Sequence, residues 1–333
     1  MNATRGIGFR LVGSGIALPR TAIRSTDIDL RIGTEPGWTE ANFAIATRHY
    51  AQQDETSSML GAQAGAAALI DAGWDAADLD VVIAACGVME QPIPGTAPLI
   101  QRRLGIGSSG ITAFDVNATC LSFIVAFETL LMGMAVGKWR RGLIVSADIA
   151  SAALDFTSPE ASVIFGDGAA AVAVEADGPS LLLAARLSSF GDGADLCRLE
   201  AGGTRLRPHD DLEGFLAASR FRMDGPALFS ATARRFPPFL KRLLNEAGIA
   251  AEAIDTIIPH QASAAALEHL KRAVPDGHAR TIDIFRDHGN QIAAGMPHAL
   301  HVARSTSRTA PGTHSLLIGT SAGVSLGGAV IRW

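Results

Sequence analysis

Two twelve-residue stretches of this chain, 175 residues apart, share five identical residues in register. Ala72-Gly73-Trp74-Asp75-Ala76-Ala77-Asp78-Leu79-Asp80-Val81-Val82-Ile83 aligns with Ala247-Gly248-Ile249-Ala250-Ala251-Glu252-Ala253-Ile254-Asp255-Thr256-Ile257-Ile258. Ala72, Gly73, Ala76, Asp80 and Ile83 recur unchanged, and Leu79 and Val82 return as isoleucine. At nearly the same spacing Leu143-Ile144-Val145 meets Leu316-Leu317-Ile318, and the segment before Cys120 meets the segment before Asn290. Matches in register mark a duplicated unit, whose halves bury equivalent faces and look at each other across a pseudo-two-fold axis. Short apolar runs alternate with longer helical patterns, so the class is α/β, with mainly parallel or mixed sheets covered by helices. The expected division is 1–175, carrying Cys120, and 176–333, carrying His260 and Asn290. The polar, glycine-containing stretch 187–225 reads as a cap inserted in the second half rather than a linker.

Within this frame Leu11–Pro19 is a strand, and Gly13-x-Gly15 lacks the third glycine of a dinucleotide loop, so its role is structural. Residues 20–50 read as loop-rich. Helices are expected at Thr56–Ala72, up to Leu104, at Ala227–Ala247, Ala262–Ala273 and Ile292–Ala303. Buried strands are expected at Leu79–Ala85, Gly142–Ala147, Ile254–Pro259, Thr281–Phe285 and Ser315–Gly319, with Val324–Trp333 closing the chain.

Composition removes several function classes. The 333 residues are 48% hydrophobic and 18% charged with net charge −5, enough for a large core but without the basic face of a nucleic-acid binder. No apolar run approaches the ~18 residues of a membrane span, and Met1–Arg10 lacks the apolar centre of a signal peptide. Cys86, Cys120 and Cys197 form no CxxC pair, which fits a reducing cytoplasm and no structural zinc. His298 and His301 share a helix face with no third ligand at a fitting spacing, so no metal site is expected.

Chemistry concentrates at Phe114-Asp115-Val116-Asn117-Ala118-Thr119-Cys120-Leu121-Ser122-Phe123. An apolar run reaches a cysteine and turns amphipathic, predicting a buried strand, a tight turn and a helix that opens at Cys120. Unpaired N–H groups and the helix dipole there favour a thiolate. A free cysteine is equally at home as a small buried hydrophobe, and this stretch alone does not separate the two. The duplication brings in more: the turns at Cys120 and Gly289-Asn290 and the loop at His260-Gln261 belong to one strand-end face, where open α/β sheets place their sites. A thiol, an imidazole and an amide suit attack on a thioester and stabilisation of an oxyanion or enolate. Taken singly, His260 also reads as a satisfied strand-end histidine, Asn290 and His288 as turn residues, and Cys86 and Cys197 as structural.

The motifs Asp115-Val116-x-Ala118-x-Cys120-x-x-Phe123, Phe165-Gly166-Asp167-Gly168-Ala169, Pro259-His260-Gln261-Ala262 and His288-Gly289-Asn290-x-x-Ala293-Ala294-x-x-Pro297 occur in order along nearly the whole chain. In this set the chain resembles a divergent thiolase-fold condensing enzyme of the β-ketoacyl-acyl-carrier-protein synthase III type. The resemblance implies a duplicated αβαβα fold with two sheets around buried helices, a homodimer, and a catalytic Cys120, His260 and Asn290. It implies an oxyanion hole of backbone N–H groups at Cys120, Ala322 and Gly323, and substrate contacts at Trp38, Ile93 and Thr320. Acyl-CoA or acyl carrier protein thioesters and a malonyl thioester would be the substrates, with no cofactor. Decarboxylative Claisen condensation follows, in fatty-acid or specialised lipid or polyketide synthesis. Two alternatives belong to other classes: an acyltransferase passing the acyl group to an alcohol or amine, and a non-catalytic partner subunit of a condensing pair.

The chain departs from that family pattern around the centre. Asn42 and Pro159 stand where arginines help hold the CoA nucleotide, and Ser230 and Ala265 where basic residues contact acyl carrier protein. Ile93 replaces an aromatic that reaches into the partner's acyl pocket, Thr320 replaces a phenylalanine, and the following turn is Ser321-Ala322-Gly323. Arg48, Arg102 and Arg103 are the candidates to compensate at the entrance. On this reading, incubation with acyl-CoAs of several lengths should add one acyl mass, lost in Cys120→Ala. An adduct mapping to Cys86 or Cys197 in the mass spectrum contradicts the assignment.

Overall fold

The computed structural model describes residues 6–333. The reading of Met1–Arg10 as leaderless rests partly on residues 1–5, which lie outside the described residues. The strands are β1 (Ile7–Ala17), β2 (Thr21–Arg24), β3 (Thr47–Tyr50), β4 (Val81–Ala84), β5 (Thr112–Asp115), β6 (Arg141–Asp148) and β7 (Gly168–Ala176). They continue with β8 (Ser180–Ser189), β9 (Cys197–Arg198), β10 (Arg222–Met223), β11 (Thr256–Pro259), β12 (His314–Ser321) and β13 (Ser325–Arg332).

Nine strands run in the order β11-β12-β13-β8-β1-β7-β6-β4-β5. Outward from the centre, β1-β7-β6-β4 is answered by β8-β13-β12-β11. The orientations repeat as well. β1/β7 and β7/β6 are antiparallel and β6/β4 parallel. Likewise β8/β13 and β13/β12 are antiparallel and β12/β11 parallel. Thr281, bridged in parallel to Ile257, stands where β5 stands beside β4. The two matched stretches end on β4 and β11, and the second match falls on β6 and β12. Ile7–Phe9 pairs with Ser180–Leu182, so the two expected sheets are joined edge to edge at the pseudo-two-fold axis.

Side-chain alternation along each strand builds the layers. Val82, Ala84, Leu143 and Val145 pack on Leu60 and Ala64 of the Ser57–Ala72 helix and Ile100 of the Thr96–Arg103 helix. Their neighbours Val81, Ile83 and Ile144 face Phe123 and Phe127 of the Ser122–Ala135 helix. In the second half Ile257, Leu316 and Ile318 meet Phe239 and Leu243 of the Gly225–Ala247 helix. Ile258, Leu317 and Ile331 face Met296 and Leu300 of the Gly295–Ser305 helix. The result is αβαβα, with the Ser122–Ala135 and Gly295–Ser305 helices in the middle layer.

The structure corrects several local expectations. Residues 20–50 hold the helices Ser25–Ile32 and Trp38–Phe43 and the paired β2 and β3. Thr281–Phe285 is not a strand, because Asp283 Oδ1 and Gln261 Oε1 accept the Phe285 and Ile284 N–H groups that a ladder would need. Residues 187–189 end β8 and do not belong to the cap, which holds β9, β10 and the Leu212–Ala218 helix. β5 is an edge strand with Thr112 and Asp115 exposed, not a buried one. Among the described residues no helix is long and apolar enough to cross a membrane.

Gly13 and Gly15 let the Ser57–Ala72 helix lie directly on β1. A Cβ at Gly15 would sit 2.4 Å from the Ala64 carbonyl oxygen, and one at Gly13 2.1 Å from that of Ala68. Backbone cannot move aside as a flexible side chain does, so Gly15→Ala should cost about 1–3 kcal/mol by overpacking. Gly191→Ala, whose methyl meets nothing within 4 Å, should stay within about 0.5 kcal/mol. Urea unfolding of the two variants checks the contrast.

Candidate active site

Cys120 lies in the turn between β5 and the Ser122–Ala135 helix, two residues before the helix rather than at its first position. Asn117 Oδ1 accepts the Thr119 N–H at 2.9 Å, and Thr119 takes a left-handed φ of 53°. Ser122 Oγ accepts the Ala118 N–H at 2.9 Å and donates to Thr119 O at 2.6 Å, which closes the turn. The turn before the Gly295–Ser305 helix is built the same way. Asn290 Oδ1 accepts the Ile292 N–H at 2.9 Å, and Ile292 has φ 52°. A non-glycine residue in this region is strained and persists only where its surroundings over-determine it. The two turns are therefore structural copies in which Asn290 corresponds to Asn117 and Cys120 to Ala293.

His260 follows β11, and its N–H donates to Ile318 O at 2.9 Å, extending the pairing with β12. Gly319 makes room for it, since a Cβ there would stand 2.6 Å from His260 Cβ. The ring is buried, its Nδ1 has no partner among the described residues, and burial pushes its pKa down to about 4. At neutral pH the imidazole is uncharged, with one N–H donor and one lone pair. Asn290 is buried too. Its Nδ2 donates to Ala262 O at 3.2 Å, and an amide carries a second N–H.

Cys120, His260 and Asn290 all line one cavity of about 1000 Å³. The thiol, however, is not poised as a thiolate. Burial pushes its pKa well up, the neighbouring Cys197 and Asp148 add to that, and the Ser321 hydroxyl opposes it. Two residues from the helix start and half-buried, the thiol loses more by desolvation than the dipole returns.

Asp148, at the end of β6, escaped the sequence reading. Its Oδ1 accepts the Gly87 and Val88 N–H groups at 2.8 and 2.7 Å, and its Oδ2 accepts the Ala293 N–H at 3.1 Å. Burial pushes its carboxyl up to about 7 against those bonds. The only signal for it was a lone aspartate ending an apolar strand.

The other candidates divide. Trp38, Thr320 and Ala322 line the cavity, whereas Gly323 is not among its lining residues. Ile93 is 86% exposed and outside its own cavity. The Cys120 N–H, expected in the oxyanion hole, donates at 3.2 Å to Ser321 Oγ. Cys197 lines the cavity as well, so it is not merely incidental to the cap, whereas Cys86 is buried and accepts the Ala147 N–H. Arg48 is completely buried and donates to Val163 O at 3.0 Å, so it serves the core and not the entrance. The described residues lining the cavity include Glu160 and Asp224 and no lysine or arginine. His298 is buried and bonds Gln291 Oε1 through Nδ1 at 2.8 Å, and among the described residues no cluster of metal-binding side chains occurs.

Two family models match this chain. One described as 3-oxoacyl-[acyl-carrier-protein (ACP)] synthase III covers residues 114–191, and one described as its C terminal covers 244–333. The chain is 33% identical to a β-ketoacyl-[acyl-carrier-protein] synthase III of Synechococcus sp. (strain RCC307), covering 98% of each chain. Its fold is similar to the crystal structure of 3-oxoacyl-[acyl-carrier-protein] synthase III from Aquifex aeolicus VF5, with TM-score 0.87, 28% identity, and 98% of this chain and 100% of that chain covered. The corresponding structure from Pseudomonas aeruginosa PAO1 has TM-score 0.86 and 28% identity, over 98% of both chains.

The histidines set an expected pH dependence of stability. Burial holds His260 at about 4 and His298 at about 3, against 6.5 for free imidazole. Between pH 6.5 and 4 the unfolded chain therefore binds more protons than the folded one. The contribution is complete above pH 6.5 and is lost as pH falls through the folded values. By pH 5 each histidine should have removed about 2 kcal/mol. Asp148, whose carboxyl burial holds at about 7, gains stability over the same range and opposes the histidines, so the test is a difference. From pH 7 to 5 the urea midpoint should lose less in His260→Gln than in the wild type, and equal profiles contradict the burial argument.

Proposed function

This chain belongs to the 3-oxoacyl-[acyl-carrier-protein] synthase III family, and on that footing we propose that Cys120 is its acylated nucleophile and His260 with Asn290 the pair that stabilises the enolate. As a family member it is an acyltransferase that moves an acyl group from a thioester onto an enzyme cysteine and then performs a decarboxylative Claisen condensation with a malonyl thioester. The observation that carries the assignment is that a thiol, a neutral imidazole and a buried amide, drawn from three separate segments, line one cavity.

In the first stage Cys120 sulfur bonds to the donor carbonyl carbon. The donor C–S bond breaks, and the leaving thiolate takes up the proton that Cys120 gave away. In the second, the malonyl carboxylate departs as CO₂ and its bonding pair becomes an enolate. His260 and Asn290 N–H groups hydrogen-bond the thioester oxygen that gains charge. The enolate carbon attacks the acyl-enzyme, and the Cys120 C–S bond breaks to release a β-ketoacyl thioester. The 1–175 half supplies the nucleophile and the 176–333 half the two donors. No cofactor is needed.

His260→Ala and Asn290→Ala should still take up an acyl group but lose condensation by about 10²–10³, the usual result of removing one such donor. Normal β-ketoacyl product from either variant contradicts the role. Loss of acylation in either variant would instead move that residue toward activating Cys120.

The entrance supports a donor gripped by its acyl chain more than by its nucleotide. With Asn42 and Pro159 in place of arginines, Arg48 buried, and Glu160 and Asp224 at the cavity, two charge-assisted phosphate bonds of about 1.5–3 kcal/mol each are missing. A pantetheine arm without tight nucleotide contact would deliver the donor. Exposed Ile93 suits a homodimer contact beside the partner's acyl pocket, where it leaves more room than an aromatic, and the setting is cytoplasmic. Acylation should be nearly as fast from a truncated pantetheine thioester as from CoA, and faster with medium-chain donors than with acetyl. A large CoA advantage with strict acetyl preference defeats this reading of the entrance.

A further inference from the structure

Ser321 is the residue that the reaction as described leaves unused. It ends β12 and lines the cavity, yet is itself buried. Its Oγ accepts the Cys120 N–H at 3.2 Å and donates to the Ala118 carbonyl at 3.0 Å. The backbone donor next to the nucleophile is thus already occupied by a side chain of the chain's own. A substrate oxygen could reach that N–H only by expelling the hydroxyl from two hydrogen bonds to backbone.

We propose that the Ser321 hydroxyl is itself an oxyanion donor, relaying the Cys120 N–H to the thioester oxygen. This rests on Cys120 being the acylated nucleophile. The Oγ is anchored from two sides, and the torsion of its O–H is the one freedom it retains. When a thioester carbonyl enters beside the sulfur, the O–H turns from Ala118 O to the substrate oxygen, and no heavy atom moves. The Ala118 carbonyl is not stranded by this, because it also accepts the Leu121 N–H at 3.2 Å. Meanwhile the Cys120 N–H continues to donate to Oγ, and a hydroxyl that accepts a hydrogen bond donates a stronger one. As the sulfur–carbon bond forms, the carbonyl pair moves onto oxygen and meets this polarised O–H. When the pair returns, the donor thiolate leaves and the O–H swings back.

The test compares two reactions of one thiol. Acylation by an acyl thioester builds an oxyanion, whereas alkylation by iodoacetamide displaces iodide at carbon and builds none. Dividing one rate by the other cancels any change in how readily Cys120 ionises. In Ser321→Ala, and in Ser321→Gly should the alanine variant fold poorly, the ratio of acylation to alkylation should fall at least tenfold, within the roughly 10²–10³ range for loss of an oxyanion donor. An unchanged ratio overturns the proposal, since the hydroxyl then serves only the thiol or the fold. A raised ratio overturns it as well, since the hydroxyl then merely blocks the Cys120 N–H. If the wild-type protein alkylates at Cys120 but accepts no acyl group, the nucleophile assignment fails and takes this inference with it, an outcome distinct from the other two.

Discussion

Two turns meet at one buried carboxylate. Asp148 accepts backbone N–H groups from Gly87 and Val88, just past β4, and from Ala293, in the turn that presents Asn290. A charge this deep is tolerable only where donors surround it, and here the donors belong to both halves of the chain. The carboxylate therefore holds the two halves together at the ends of their strands. Asp167 repeats the device nearby: its carboxylate accepts from Ala51 and Ser151, and its carbonyl accepts from Gln291. Between these clamps the site segments have little freedom, as side chains that must align with a reacting atom require.

Duplication explains why so much chemistry gathers at one point. Each half carries an Asn-stabilised turn with a left-handed residue, after β5 in the first and after the short Phe285–His288 helix in the second, and each turn opens onto a buried central helix. In the first half the residue after the strained position is Cys120; in the second it is Ala293, whose N–H serves Asp148 instead. The second turn has kept the asparagine as its working group and given up the nucleophile. Since the central helices lie side by side in the middle layer, the two divergent turns share one cavity.

The reacting groups in that cavity rest uncharged. Burial keeps the thiol protonated and the imidazole neutral, so the resting groups carry no charge and none must be desolvated at each turnover. Charge arises only when a substrate brings it, and then N–H and O–H donors already stand in place. The rest of the lining differs: it includes Glu160 and Asp224 and, among the described residues, no lysine or arginine to balance them.

Much of this was legible in the sequence because the signals are local or repeated. The spelling repeat marks β4 and β11, the Ser57–Ala72 helix shows in its composition, and cysteine, histidine and asparagine stand in their motifs. The misses have physical causes. β8 went unread because its significance is pairing with β1 and β13, which no window of its own residues records. Thr281–Phe285 has a strand's composition, but Gln261 and Asp283 side chains take its backbone donors. The thiolate expected at a helix start gave way to desolvation, a property of everything packed around Cys120. Arg48, a candidate for the entrance, lies in the core. The sequence by itself determined the duplicated α/β frame and the identity of the reacting groups, because periodicity and residue type are written along the chain. Only the tertiary structure decided that Ser321 occupies the Cys120 N–H, that Asp148 gathers two turns from opposite halves and that Cys197 shares the cavity, because each depends on distances between atoms far apart in sequence.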